Sequence, residues 1–363
     1  MIRAEIPTPA LLLDLNAFDA NVTAMTRYVA DHGKALRPHA KTHKCPEIAR
    51  RLVRAGAVGA CAAKLGEAEV FAAHDVRGLL VTTAVVGDAK AARAASLARL
   101  APDTIVVADD VGQVAVLDRA AGHAGVRLRV AVDLYFGRTG VAPGAPALAV
   151  AQAIAASPHL AFAGLQAYDA TASHTVGVEA RRARTTRTMG EAVATRTLLE
   201  AYGIPCPLVS AGSTGSYRVD AAIDGLTELQ PGSFIFMDTD YLQIGGPAGT
   251  AYDDFRPSLS VMTTVVSVQG DEAIVDGGYK AFATDRPFPP LPVDRPDLTY
   301  AWAGDEHGRL DMRRATRRLA VGDRLEFRAP HCDPTVNLYD EIHALRGDDV
   351  EAVWSIAARG KSQ

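Results

Sequence analysis

Between residues 35 and 229, short apolar runs and Ala-rich segments of helical period take turns along the chain. The runs cover residues 35–42, 58–62, 78–82, 104–108, 127–134, 161–167, 208–211 and 226–229. They are rich in Val, Leu and Ile and do not alternate strictly, which is the texture of strands covered on both faces. The Ala-rich segments cover 46–55, 65–74, 89–100, 111–122, 145–157, 178–202 and a short piece near 215–222. With a closing segment after Leu229 these make eight strand-then-helix steps. A doubly wound open sheet also alternates, but eight units in about 200 residues favour closure, so the α/β pattern predicts a (β/α)8 barrel of the TIM type.

Both ends of the chain have a different texture. An apolar run at 10–13 is followed by a helical pattern from 16 to 31 that Gly33 ends. From Arg256 onward the runs are short and β-like, at 259–268, 272–275, 324–328 and 350–357, with Gly270-Asp271, Gly277-Gly278 and Gly322-Asp323 as turns between them. This predicts a C-terminal all-β domain joined by the N-terminal strand, with boundaries at 14–250 for the barrel and at 1–13 plus 251–363 for the β domain. The Pro-rich loop 286–296 is long enough to be functional or mobile.

Composition narrows the partners. Lys+Arg 38 against Asp+Glu 42 gives a net charge of −4, without the basic excess of a nucleic-acid binder. No apolar stretch approaches the 18 or so residues of a membrane span, and the first residues carry no apolar leader core, so a cytoplasmic location is expected. Cys45, Cys61, Cys206 and Cys332 lack paired spacing, which argues against a disulfide framework or a structural zinc site.

In a barrel, chemistry sits at the C-terminal ends of strands. The first strand runs into Arg37-Pro38-His39-Ala40-Lys41-Thr42-His43; extended backbone puts Arg37, His39, Lys41 and His43 on one face, neighbours roughly 6.5 Å apart. A solvated basic face is the plain alternative. The fifth strand ends in Asp133 followed by Arg138, and the sixth in Gln166-Ala167-Tyr168 with His174 beyond. Strands seven and eight end in Gly212-Ser213-Thr214-Gly215 and Pro231-Gly232-Ser233, small residues that expose backbone N–H groups where barrels commonly hold phosphate. A lysine, a phosphate cradle and an arginine at three strand ends suit pyridoxal phosphate: Lys41 for the Schiff base, the loops for the phosphate, Arg138 for the pyridine nitrogen. In the β domain, His331 and Asp333, on one side of an extended segment with Cys332 on the other, suit Mn²⁺ or Mg²⁺.

Taken together, Pro38-His39-Ala40-Lys41-Thr42-His43-Lys44, Gln166-Ala167-Tyr168, Glu228-Leu229-Gln230-Pro231-Gly232-Ser233, Phe236-Met237-Asp238, Gly304-Asp305-Glu306-His307-Gly308 and His331-Cys332-Asp333-Pro334-Thr335-Val336-Asn337 resemble the D-threonine aldolase family. That family belongs with the D-serine dehydratases among fold-type III pyridoxal-phosphate enzymes, relatives of alanine racemase. The resemblance implies a homodimer, a divalent metal beside the cofactor, and a D-β-hydroxy amino acid cleaved to glycine and an aldehyde. It makes Lys41 the Schiff-base lysine and Arg138 the partner of the pyridine nitrogen, puts Tyr168 beside the cofactor, Gly212, Ser213 and Thr214 at the phosphate, and His331 with Asp333 at the metal; His39, Gly232 and Ser233, at the ends of the first and eighth strands, are the further cofactor-binding candidates. His174 corresponds to the histidine that takes the proton from the β-hydroxyl, although the preceding Asp169-Ala170-Thr171-Ala172-Ser173 departs from the family pattern. The competing readings are a 3-hydroxy-D-aspartate aldolase, a D-serine or 3-hydroxyaspartate dehydratase, and a non-catalytic pyridoxal-phosphate carrier.

Overall fold

The apolar runs form eight parallel strands: Ala35–Leu36, Ala60–Ala62, Leu79–Val81, Ile105–Ala108, Leu128–Asp133, Leu160–Ala167, Leu208–Ala211 and Glu228–Leu229. From the second strand to the eighth, each pairs with the next, and the eighth returns to the first, with Ala35 opposite Glu228. A bridge between His39 and Cys61 closes the ring; there the Val58 and Cys61 N–H groups donate to the Leu36 and Pro38 carbonyls at 2.9 Å. The computed structural model describes residues 1–247 and 249–363. Helices Pro46–Arg54, Leu65–Ala73, Asp88–Leu100, Val111–Ala124, Ala145–Ala156, Val178–Ala201 and Tyr217–Ala221 follow the strands as the Ala-rich segments predict. Their ends have local causes: the Asp110 carboxylate accepts from the Gly112 and Gln113 N–H groups, and Gly125, at φ +64°, stops the same helix.

Side chains two apart on a strand share a face, which stacks the barrel interior in layers. Leu80, Ala131 and Leu208 join an apolar plug with Cys61, Ile105, Val107 and Ala163. Two residues further along the strands, toward their C-terminal ends, Thr82, Asp133 and Ser210 replace them with polar groups. That polar layer is where ligand chemistry can be seated.

The expected strand 35–42 is shorter than its pattern. Regular pairing stops at Leu36, because Pro38 has no N–H to give the ladder, and the chain turns through a 3-10 helix at Ala40–Thr42. Arg37 and His39 still share the inner face, but Lys41 and His43 are carried by the turn and not by a strand.

The chain divides into two compact units. One comprises Met25–Lys41, Pro46–Gly232 and Gly360–Gln363, the other Met1–Ala24, Thr42–Cys45 and Ser233–Arg359. In the second, Leu259–Gln269 is the longest strand, and Ala10–Asp14 lies antiparallel to it (Ala10 opposite Met262) and parallel to Glu341–Arg346 (Leu12 opposite His343). Ala10 to Leu13 are buried on both sides, which explains their unbroken apolar run. Glu272–Val275, Gly308–Asp311 and Thr299–Trp302 extend the sheet beyond a bulge at Val265–Ser267. Leu291–Pro292 and Arg324–Arg328 pair beside it, and Asp349–Ser355 closes the other side. Several of these strands, Thr299–Trp302 and Gly308–Asp311 among them, have no counterpart in the hydrophobic pattern, since four residues half-exposed on a sheet carry little periodic signal.

Candidate active site

Arg37 sets the floor of the polar layer. Its Nε and Nη2 pair with the two oxygens of Glu228 at 2.8 and 2.7 Å, Nη1 donates to the Gly78 carbonyl, and Arg37 and Glu228 are both buried. Ser210 Oγ donates to Glu228 Oε1 at 2.6 Å, and Gln230 Nε2 donates to Ser210 Oγ at 2.7 Å. Gln166 Nε2 bridges Asp133 Oδ1 (3.2 Å) and the Thr82 carbonyl (2.9 Å). Gln230 Oε1 has no partner among the described residues, a buried acceptor that costs about 1–3 kcal/mol until a donor meets it. Burial pushes the Asp133 carboxyl up to about 6 against hydrogen bonds from Thr139 and Gln166.

Above this floor, the Lys41 N–H donates to His39 Nδ1 at 3.3 Å, which leaves the ring proton on Nε2, 3.1 Å from Thr82 Oγ1. Lys41 itself is half-buried on the Ala40–Thr42 turn. Arg138 is exposed in the loop after Leu128–Asp133, with its guanidinium 5.2 Å from the centre of the Tyr168 ring. His174 ends a five-residue helix, Ala170–His174. The departure seen at Asp169 has a structural role: its carboxylate caps that helix, accepting from the Thr171 and Ala172 N–H groups at 2.9 and 3.1 Å, and binds Arg184 through both oxygens at 2.8 and 3.0 Å.

Beyond Leu208–Ala211, Gly212 has φ +84°, and a Cβ there would lie 2.9 Å from Asp220 Oδ2. Ser213 Oγ is 2.7 Å from Ser216 Oγ, which is 2.6 Å from Asp220 Oδ2. Thr214 is buried, Gly232 is half-buried after the last strand, and Ser233 opens a 3-10 turn, Ser233–Ile235. A lysine amine, a row of hydroxyls on a glycine-led loop and an unfilled acceptor in the barrel fit pyridoxal phosphate. The Ser216 and Asp220 positions were not singled out in the sequence, although their i, i+4 spacing is the trace they leave there.

In the β unit, His331 and Asp333 do not lie on an extended segment. His331 is the N-cap of the short helix Cys332–Val336, which tolerates Pro334 in its first turn and favours the Asp333 charge there. The turn is tied down by the Cys332 N–H donating to Asp238 Oδ2 at 2.8 Å and by Thr335 Oγ1 donating to the His331 carbonyl at 2.8 Å. Burial raises the Asp238 carboxyl and pushes the Cys332 thiol well up. His331 Nδ1 is 2.8 Å from Asp285 Oδ2, and Asp333 Oδ1 accepts from Thr42 Oγ1 at 2.6 Å. Thr42 is the residue that follows Lys41 in the chain. His43 beside it is fully buried, which pushes its imidazole down to about 3 against the pull of Asp333.

A carboxylate accepting from Nδ1–H leaves the lone pair on Nε2, the arrangement common in metal-binding histidines, and a single imidazole with a single carboxylate suits a hard, partly hydrated divalent ion. The donor set therefore fits such an ion. Among the described residues, no three His, Cys, Asp or Glu side chains gather to enclose one by themselves. Asp285 was missed because 46 residues separate it from His331. The four cysteines are buried and none is in a disulfide among the described residues, and no described helix is long and apolar enough to cross a membrane.

Comparison with known proteins places this architecture. The alanine racemase N-terminal domain model matches residues 13–240, and the putative serine dehydratase domain model matches 258–345. The chain is 39% identical to a D-threonine aldolase of Arthrobacter sp. and 36% identical to a 3-hydroxy-D-aspartate aldolase of Paracoccus denitrificans, each over 99% of this chain and 94% of the relative. The crystal structure of a D-threonine aldolase from Filomicrobium marinum superposes with a TM-score of 0.95 at 36% identity, over 100% of this chain and 98% of that one. The chain thus belongs to the alanine racemase-like, fold-type III pyridoxal-phosphate family that includes the D-threonine and 3-hydroxy-D-aspartate aldolases, and with those relatives it is a lyase.

Proposed function

We propose that this protein is a pyridoxal-phosphate- and divalent-metal-dependent aldolase that cleaves D-β-hydroxy-α-amino acids of the D-threonine type to glycine and an aldehyde. The observation that carries the reading is the His331 imidazole held by Asp285 with Asp333 two residues on, an oxygen-and-nitrogen donor set in a chain whose relatives are aldolases. Pyridoxal phosphate, when bound, supplies an electron sink for the pair left on Cα as Cα–Cβ breaks. Lys41 is the amine that anchors it. Gly212, Ser213, Thr214, Gly232 and Ser233 hold its phosphate, while His39 and Tyr168 bound the ring. Arg138 is its pyridine-nitrogen partner, a donor too basic to surrender its proton. His331 and Asp333 would hold Mn²⁺ or Mg²⁺, an ion whose chemistry would lower the pKa of a hydroxyl bound to it. His174 accepts the hydroxyl proton as general base. The protein works as a cytoplasmic homodimer in this reading.

Incubation with D-threonine and D-serine, with and without added Mn²⁺, tests it. Glycine plus an aldehyde is expected, lost on chelation and restored by the ion. A 2-oxo acid plus ammonia would make the protein a dehydratase, and full turnover of a metal-stripped sample would remove the ion from the mechanism. Lys41→Ala should abolish the visible band of the lysine-bound cofactor; an unchanged band, or a wild type that binds the cofactor without turning over any substrate, would overturn the lysine assignment or leave a carrier. The near-equal identity to a 3-hydroxy-D-aspartate aldolase supports a second reading with the same bond cleavage, told apart by preference for the substrate bearing a second carboxylate.

A further inference from the structure

Ser213 Oγ, Ser216 Oγ and Asp220 Oδ2 form an unbroken row at 2.7 and 2.6 Å, and all three residues are buried, at 4%, 3% and 1% exposure. Each hydroxyl has one proton to give, so the row has a direction, and the far end decides it. If Asp220 is ionised, Ser216 must donate to it and Ser213 must donate to Ser216. Ser213 then offers only lone pairs, which repel an anion. If Asp220 holds a proton on Oδ2, that O–H donates to Ser216, Ser216 donates to Ser213, and the Ser213 O–H is released to donate outward.

We propose that Asp220 is a positioning residue for the cofactor phosphate: its protonation turns the Ser216–Ser213 row so that Ser213 donates to the phosphate, and phosphate binding therefore takes up a proton at Asp220. This rests on the reading of the Gly212–Thr214 loop as the phosphate cradle. The site is closed enough for the coupling to be strong, since Asp220 Oδ2 lies where a Cβ at Gly212 would come within 2.9 Å, leaving no space between loop and carboxyl. Burial already pushes this carboxyl up to about 7, against hydrogen bonds from Ser216 and the Ser213 backbone.

The charged groups facing Asp220 do not supply a rival cause. Asp169 raises it, but that carboxylate is neutralised by Nε and Nη2 of Arg184. Glu228 on the neighbouring strand is engaged by Arg37 and Ser210. Arg218, on the helix of Asp220, lies over the rings of Tyr28 and Tyr217.

The test measures pyridoxal phosphate binding by the visible band and by calorimetry from pH 7 to 9, in two buffers of different ionisation heat. Wild type should take up a proton that binding of phosphate-free pyridoxal does not require, and its affinity should fall by up to about tenfold per pH unit above 7. Asp220→Asn, whose Nδ2 can only donate to Ser216, should bind as tightly as wild type at pH 7 and lose the extra proton uptake and that decline. Asp220→Ala and Ser216→Ala, which free the Ser213 O–H from the row, should likewise lose the extra proton uptake and the decline above pH 7; either variant keeping both overturns the proposal. Equal proton uptake for pyridoxal phosphate and pyridoxal in the wild type overturns the proposal without any variant, as does an Asn variant that keeps the wild-type decline. Equal affinity of the wild type for the two ligands instead overturns the phosphate cradle itself.

Discussion

Replacing Asp169 with Ala tests whether the segment that carries His174 is held by one carboxylate. Two losses add. Removing the N-cap acceptor for Thr171 and Ala172 costs about 1 kcal/mol. Removing the partner of Arg184 would cost about 3–5 kcal/mol in a fully buried pair, but the Arg184 side chain is 28% exposed and water recovers part of it, so about 1–2 kcal/mol is assigned. The total, about 2–3 kcal/mol, falls on a five-residue helix, far below the length that stands alone. Ala170–His174 should therefore open locally while the barrel stays folded. Amide exchange over 170–175 should rise, the lysine-bound cofactor band should remain, and turnover of D-threonine to glycine should drop about 30- to 150-fold through kcat. Asp169→Asn keeps a cap and loses the charge, so its loss should be smaller. Turnover of Asp169→Ala within about twofold of wild type would refute the reasoning, either because the helix stands without its cap or because His174 takes no part.

Further outcomes follow from the same geometry. Glu228→Ala strands the buried Arg37 guanidinium, a loss of about 3–5 kcal/mol that should lower Tm by about 6–20 °C; a Tm within about 1 °C of wild type would show the pair to be dispensable. Asp133 titrates near 6 in the folded protein and near 3.8 when unfolded, so the folded state holds the extra proton between these values. Its stabilisation is full below about pH 4 and is lost as pH rises through about 6. Asp133→Asn should flatten the fall in Tm over that window, and equal slopes in the two proteins would contradict the shift. Asp285→Ala should weaken Mn²⁺ binding by about 10- to 100-fold in calorimetry, because His331 Nδ1 loses its acceptor; unchanged affinity would show that His331 needs no such orientation.

Much of this protein was legible along the chain. The eight β/α steps, the N-terminal strand expected at 10–13 and the glycine-containing loops after strands seven and eight follow from local rules, since apolar period, helix caps and turn residues each act within a few positions. The identities of Lys41, Arg138, His174 and His331 as candidates came the same way, from residue type at a strand end or in a turn. Tertiary structure decided what surrounds them. Pro38 ended a strand that alternation would have continued, and the His331–Asp333 segment became a capped turn because Asp238 and Thr335 hold it. Asp285 on His331, Arg184 on Asp169 and Glu228 on Arg37 lie 46, 15 and 191 residues from their partners. Pairings of that kind depend on backbone meeting across the fold, and a hydrogen bond of 3 Å leaves no periodic mark on the sequence that makes it.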